Sequence, residues 1–421
     1  MKKTVFLIPV SSRIHTTRVQ SRIAKARSLL KKKGFEVYGP VKPVCSPSEA
    51  PSFNQEEYDA VVVFVASGGT SRTIAEIAFK KGWTLWAYHE NNSLPSALSA
   101  REKLEALGGW KGEIVYSQLR EAPKEVQAEA EASHAFKALK GSTFLLLAGE
   151  DKLRELKPRL ERLSEVFSLK ALPASFTALM EAYGEVEDRE VKRALKERLG
   201  KARLIGVTAE SLRKPLKLYF AVKSLLGKFK ASALTIDCFP FTVKEGFTPC
   251  LMLSLLNGEG IPAVCEADLD TLPVFLALSK ALKKPTWMAN LSGFNPTGKT
   301  VTLAHCTAPF SLGGKRRLPV KLKSHFETGR EVSLDVLLPR GPVTLSHFSL
   351  ENFRLTVACG VLVKSQLSLP GMCRSQAEVK VEGSLERLLA STGNHQVLCY
   401  GNHVEMLTRF GRKIGAKTVV A

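Results

Sequence analysis

The chain has 421 residues, 44% hydrophobic and 24% charged, a composition able to bury substantial cores in two or three domains. Its 61 basic against 40 acidic residues give a formal charge of +21. The basic residues are dispersed through helical segments such as "RVQSRIAKARSLLKKK", aromatics are only 8%, and no basic stretch interleaves them, so a solvated lysine-rich surface is expected rather than a nucleic-acid partner.

No window is long and apolar enough to span a bilayer, so no membrane partner is expected. The opening "MKKTVFLIPVSSR" runs from a short apolar stretch into Ser-Ser-Arg rather than a cleavage site, and a cytoplasmic location is expected. Seven glutamines and nine asparagines is a low count, in keeping with a thermophile. The eight cysteines form no CxxC pair and no zinc-module spacing; they are expected to be reduced thiols, several of them in strand cores.

In chain order, "TVFLIPV" reads as a buried strand, followed by a polar loop and a basic amphipathic helix that Gly34 ends. "DAVVVFVA" is a second strand running into "SGGTSR", where the apolar spacing of Ile74, Ile77 and Ala78 begins a helix. "WTLWAYHE" is a third, followed by a helix with Ser93 as its expected N-cap and Pro95 in the first turn. After a charged helix over 121–140, "STFLLLAGE", "ARLIGVTAE", "ASALTIDCF", "IPAVCEAD" and "PTWMANL" read as strands of a second parallel sheet. From about 298 the helices thin out. "KTVTLAHC", "REVSLDVLL", "GPVTLSHF", "RLTVACGVLV", "AEVKVEGS" and "HQVLCYG" read as antiparallel strands, and "HVEMLTRFGRKIG" as a helix before a last strand "AKTVVA". The expected fold is α/β: two doubly wound parallel domains, a flavodoxin-like one over 1–140 and a second over 141–297, then a mostly antiparallel β-barrel over 298–421.

The stretch "VCEADLD" carries Glu266 and Asp268 out of an apolar strand. If the strand persists, period-two alternation points Val264, Glu266 and Asp268 to one side. Ligand sites of open parallel sheets lie beyond the carboxyl ends of strands, and paired acids there suit a hard divalent cation or an acid–base pair. The plainer alternative is a solvated strand end with Asp268 capping the next helix. His305, His325 and His395 fall at strand ends or in loops of the expected barrel, His325 near Glu327, too far apart in sequence for a local metal motif. "VASGGTSR" places Gly68 and Gly69 between a strand and a helix. Its free amides could face an anion or sugar hydroxyl, or it is simply a tight turn; it is neither a P-loop nor GxGxxG.

Taken together, "SGGTSR", "YHENNSLPSALSARE", "LTIDCFPF", "GFTPCLMLSLLNGEGIPAVCEADL", "LAHCTAPF", "SHFETG", "CRSQAEVKV" and "GNHQVLCYGNH" resemble, in order, the L-fucose isomerase/L-arabinose isomerase superfamily, in particular its archaeal and thermophile fucose isomerase-like branch. The resemblance implies two α/β domains and a β-barrel, a manganese-type divalent metal held by two carboxylates and a histidine, and aldose–ketose isomerisation of a sugar through an ene-diol. It matches Asp268 to the second family carboxylate and His395 to the histidine, with His305 as a further ligand and Glu266 as a ligand or, with Asp268, a catalytic group. Gly68, Gly69, Arg72 and Asn92 of the first domain, with His325 and Arg374, would hold substrate. In the family the first-domain contact crosses a subunit boundary, which implies a homo-oligomer. The first family carboxylate falls at or near Cys250, where this chain has no acid. The alternative reading is a sugar-binding or regulatory homologue that has lost the isomerase chemistry.

Overall fold

The computed structural model describes residues 3–108, 110–314 and 317–421. The chain divides into two compact units, 1–134 and 135–421.

In the first unit, β1 (Thr4–Val10), β2 (Glu36–Tyr38), β3 (Ala60–Val65), β4 (Thr84–Tyr88) and β5 (Ile114–Ser117) form one sheet in the order β2-β1-β3-β4-β5. Every pairing is parallel, in the flavodoxin-like order expected. Val5, Leu7, Val62, Phe64 and Trp86 pack into one core and Phe6, Ile8, Val63, Val65 and Leu85 into another. Both faces are covered, so these strands read as continuous apolar runs without polar alternation. Helix Thr16–Lys32 ends where Gly34 takes φ +90°. Ser93 is not the N-cap of the third helix but its first residue, behind left-handed Asn92. Its hydroxyl instead accepts from the Tyr88 amide and donates to the Val65 carbonyl, tying β4 to β3.

In the second unit, β6 (Thr143–Leu147), β7 (Lys170–Ala174), β9 (Ala233–Ile236) and β10 (Ala263–Val264) form a parallel sheet in the order β10-β9-β6-β7. "ARLIGVTAE" does not join it. Only β8 (Arg203–Leu204) forms there, its Leu204 exposed, before Gly206 turns away at φ +68°. β8 pairs instead with β13 (Val320–Ser324), itself antiparallel to β14 (Glu331–Val336).

The remaining strands are β11 (Trp287–Asn295), β12 (Thr300–His305), β15 (Gly341–Ser349), β16 (Arg354–Ser365), β17 (Ser375–Val381), β18 (His395–Tyr400) and β19 (Lys417–Val420). Six of them close into an antiparallel barrel, β15-β18-β11-β12-β17-β16 and back to β15, with β19 added parallel to β16. Closure leaves no free sheet edge among the six. The barrel takes in "PTWMANL", which was expected to continue the parallel series: β11 pairs antiparallel with β12 and β18. Its opening Trp287, Met288 and Ala289 are all buried, so the run looks like a parallel-sheet strand while beginning a barrel one.

Candidate metal centre

Glu266 and Asp268 do not share a strand face, because β10 stops at Val264. Glu266 and Ala267 instead adopt left-handed backbone, φ +62° and +49°. The Ala267 amide donates to the Ile236 carbonyl (2.9 Å) and the Asp268 amide to that of Cys265 (3.2 Å). Two successive non-glycine residues in this region cost roughly 1–2 kcal/mol each, a strain that clusters where side chains must be aimed. Here the turn sends both carboxylates toward the barrel. His305 ends β12 and His395 begins β18; β11 runs between those strands and its Asn290 pairs in register with both His395 and Ala304.

Glu266 Oε1 lies 3.5 Å from His305 Nε2 and Oε2 lies 3.5 Å from His395 Nε2. The two rings stand 6.0 Å apart at 73°. Each imidazole is fixed through its other nitrogen: His305 Nδ1 shares a hydrogen bond with the Thr307 hydroxyl at 3.0 Å, and His395 Nδ1 donates to Asp268 Oδ2 at 2.7 Å. Both Nε2 atoms therefore face the same carboxylate. His395 Nε2 is buried and makes no well-formed hydrogen bond. One donor atom from each of Glu266, His305 and His395 lies within 4.8 Å of the other two, a group that could hold a metal ion. Two imidazoles and a carboxylate are a common set for Zn²⁺ and other first-row divalent ions. The side chain of Glu266 keeps 31% exposure against 5% and 11% for the two histidines, so the set is open on the carboxylate side.

The charges support one another. Burial would raise the Glu266 carboxyl, but His305 and His395 outweigh it and hold it well below the usual carboxylate range. Burial would lower His395, yet Asp268 and then Glu266 push it up to about 10. Asp268 is likewise lowered despite its burial, through His395 and Thr271.

Asp268, expected as a ligand, is placed one shell further out. Its Oδ1 accepts from the amides of Asp270 (2.8 Å) and Thr271 (3.0 Å), and its Oδ2 from the Thr271 hydroxyl and from His395. It is not the N-cap of helix Thr271–Leu282, which is Asp270, but it receives the amides just before and at the helix start and orients His395 with the same carboxylate.

Glu266 and His305 line a cavity of about 210 Å³ with Asn290, Asn394, His325, Glu327, Thr242, Thr248 and five cysteines. Several of the cysteines were expected in strand cores; Cys238, Cys250, Cys265, Cys306 and Cys373 instead share this wall. His325 is brought to the cavity. Arg374 is not among its lining residues, and its Nε donates to the Ser324 carbonyl at 2.8 Å. Sequence reasoning missed Asn290 and Asn394, whose only signal is adjacency: Asn394 precedes His395, and Asn290 faces it across β11 and β18.

In the first unit, the Gly68 amide donates to the Asn91 carbonyl at 2.6 Å, and a Cβ at Gly68 would lie 2.8 Å from that of Asn92. Gly69 takes φ +75°. Gly68, Gly69 and Asn92 thus meet beyond the carboxyl ends of β3 and β4, where Thr70 and Ser96 share a hydrogen bond. Arg72 is exposed and pairs with Glu76 one turn along its helix. Comparison with known proteins gives no matching family model and no characterised relative of significant sequence similarity.

Proposed function

We propose that this chain is a divalent-metal-dependent aldose–ketose isomerase acting on a small sugar. The observation that carries the proposal is the convergence of Glu266, His305 and His395, each histidine oriented by a partner on Nδ1, beside a cavity lined by Asn290, Asn394 and Glu327. Glu266, His305 and His395 would hold the ion, which when bound would supply the polarisation of a carbonyl and its neighbouring hydroxyl. Asp268 keeps His395 in the tautomer that leaves Nε2 for the metal. Asn290 and Asn394 offer amide donors and acceptors to sugar hydroxyls, and the buried, unpaired Oδ1 of Asn290 is one such acceptor. With Glu266 committed to the ion, Glu327 is the other carboxylate on the cavity wall and would carry a proton between adjacent carbons.

Manganese is the ion implied by the family resemblance, and a cytoplasmic homo-oligomer the assembly. All eight cysteines are free, as in a reducing compartment. No helix among the described residues is long and apolar enough to cross a membrane.

The test incubates the purified chain with Mn²⁺ and a panel of aldoses and measures ketose. Ketose formed by the wild type and lost in Glu266→Gln supports the proposal; no ketose from any aldose, with Mn²⁺ bound, overturns it. A second reading rests on Cys250, a buried thiol on the cavity wall where the family resemblance implies a carboxylate. It makes the chain a sugar-binding protein without turnover, and predicts aldose-dependent thermal shifts with no ketose.

A further inference from the structure

A second cavity in the 135–421 unit, about 470 Å³, shares no lining residue with the one beside Glu266. Its size is that of a small-molecule site, roughly 300–1,000 Å³. Five places along the chain build it: Tyr183 ends helix Phe176–Gly184, Asp188 begins helix Asp188–Ala194, residues 208–217 lead into helix Arg213–Lys228, Phe247 follows helix Cys238–Glu245, and Glu331 begins β14. The Tyr183 and Phe247 rings meet at 5.9 Å and give the cavity one aromatic side.

The charged groups of the lining differ in how well they are paired. Arg213, Lys214 and Lys217 lie on one face of their helix, because residues three and four apart are neighbours there. Arg213 is held loosely. Its contacts to Asp188 and Glu210 are 3.3 and 3.4 Å, longer than the about 2.7–2.9 Å of a strong charge-assisted bond, and those two carboxylates are 69% and 82% exposed. Such pairs contribute little and exchange readily. Among the described residues Lys214 has no carboxylate partner, and Lys217 has only the Tyr183 ring, 5.0 Å from its Nζ. The Glu331 carboxylate and the Tyr183 hydroxyl also have no hydrogen-bond partner among the described residues. Three cations within one helical turn repel one another, and two of them find no countercharge in the chain.

We propose that this cavity binds a small phosphorylated polyol, a sugar phosphate, at a site separate from the Glu266 centre. A phosphate monoester carries close to two negative charges and three acceptor oxygens, which matches two unpaired ammonium groups and a guanidinium free to turn from its exposed partners. The rest of the lining asks for something else. A carboxylate can only accept hydrogen bonds, so Glu331 takes hydroxyl donors and repels a second anionic group; the Tyr183 hydroxyl can do either. The ligand is therefore anionic at one end and hydroxylated along the rest. An apolar ligand would strip water from these charges without replacing it.

The proposal stands apart from the isomerase reading and is tested without metal or turnover. The metal-free full chain is titrated by calorimetry with D-ribose 5-phosphate and D-fructose 6-phosphate, and in parallel with inorganic phosphate. At least one sugar phosphate is expected to bind at one equivalent, roughly tenfold or more tighter than inorganic phosphate. Lys214→Ala/Lys217→Ala weakens that binding roughly tenfold or more, and so does Lys214→Glu, whose exposed position leaves folding undisturbed. Glu331→Gln weakens the sugar phosphate and leaves inorganic phosphate no weaker. Lys31→Ala/Lys32→Ala, which removes the same charge from the exposed end of helix Thr16–Lys32, and Glu266→Gln both bind as the wild type does. Binding of neither sugar phosphate overturns the proposal, as does inorganic phosphate binding equally well. Equal losses in the Lys214/Lys217 and Lys31/Lys32 pairs would reduce it to attraction by net charge, and a loss in Glu266→Gln would move the ligand to the other cavity; either result overturns it.

Discussion

The Asp268 carboxylate accepts the Nδ1 hydrogen of His395 at 2.7 Å while also receiving the amides of Asp270 and Thr271. One side chain thus fixes the start of a helix and the orientation of an imidazole 127 positions away. The helix dictates where Asp268 sits, and Asp268 dictates which nitrogen of His395 faces Glu266. Positioning of the candidate ligands is therefore inherited from the packing of the second parallel sheet against the barrel.

Asp268→Asn separates the two jobs. The asparagine oxygen still accepts helix amides, but the charge that orients His395 is gone, and with it the stability the buried pair supplies to the metal-free chain, so the denaturation midpoint falls as well. Metal affinity should fall roughly 10- to 100-fold, the usual loss when an outer partner of a ligating histidine is removed. Calorimetric titration with Mn²⁺ measures it. An affinity equal to wild type would remove Asp268 from the site and leave it only its place at the helix start.

Glu266→Gln keeps the side chain's shape and the left-handed turn but removes the charge between His305 and His395. The ion then loses its one anionic ligand, and Mn²⁺ binding should drop by at least 100-fold, while the metal-free chain loses the charge that His305 and His395 stabilise and unfolds at a lower temperature near neutral pH. A binding isotherm that survives this change would place the ion elsewhere.

How far the sequence foretold these relationships depended on whether local pattern or closure decided them. β1, β3 and β4 were legible because strands covered on both faces must be apolar throughout. β8 was not: "ARLIG" has the composition of a buried strand, yet Leu204 and Ile205 remain partly exposed and pair with the β13 hairpin. β11 looked parallel because its first three residues are buried, and only the ring of pairings reveals a barrel. At the site, Glu266, His305 and His395 were legible as residue types at strand ends. That Asp268 would be spent on a helix start and on His395 was not, because the reversal at Glu266 and Ala267 breaks the period on which the strand-face reading rested. Nor does spacing along the chain reveal that five cysteines from five separate places line one cavity.

Gly68→Ala tests the glycine pair of the first unit. The added Cβ would meet the Asn92 Cβ at 2.8 Å, closer than carbon atoms pack, and neither backbone can yield without disturbing the hydrogen bond from Gly68 to Asn91. The expected cost is about 1–3 kcal/mol, read as a lower denaturation midpoint. A neutral substitution would show that the turn has room, as a surface that admits a ligand would.

The pH dependence follows from the same charges, and its sign differs for stability and for metal. In the metal-free chain His395 is raised to about 10, so its contribution to stability is complete below the unfolded value near 6.5 and is lost as pH rises through about 10. Glu266 and Asp268 are lowered, so theirs is present above about pH 4.5 and lost as pH falls below it. These three groups stabilise the metal-free fold most between about pH 4.5 and 6.5. Metal binding runs the other way. His395 must release its Nε2 proton to solvent for the ion to take its place, so Mn²⁺ affinity should climb by up to tenfold per pH unit between about 6.5 and 10, with close to one proton released per ion. Manganese is the appropriate probe, because the neighbouring thiols are poor ligands for it. Calorimetry in buffers of different ionisation enthalpy counts the proton directly. An affinity that stays flat from pH 6.5 to 9, or a count of zero protons, would mean that His395 is not a ligand.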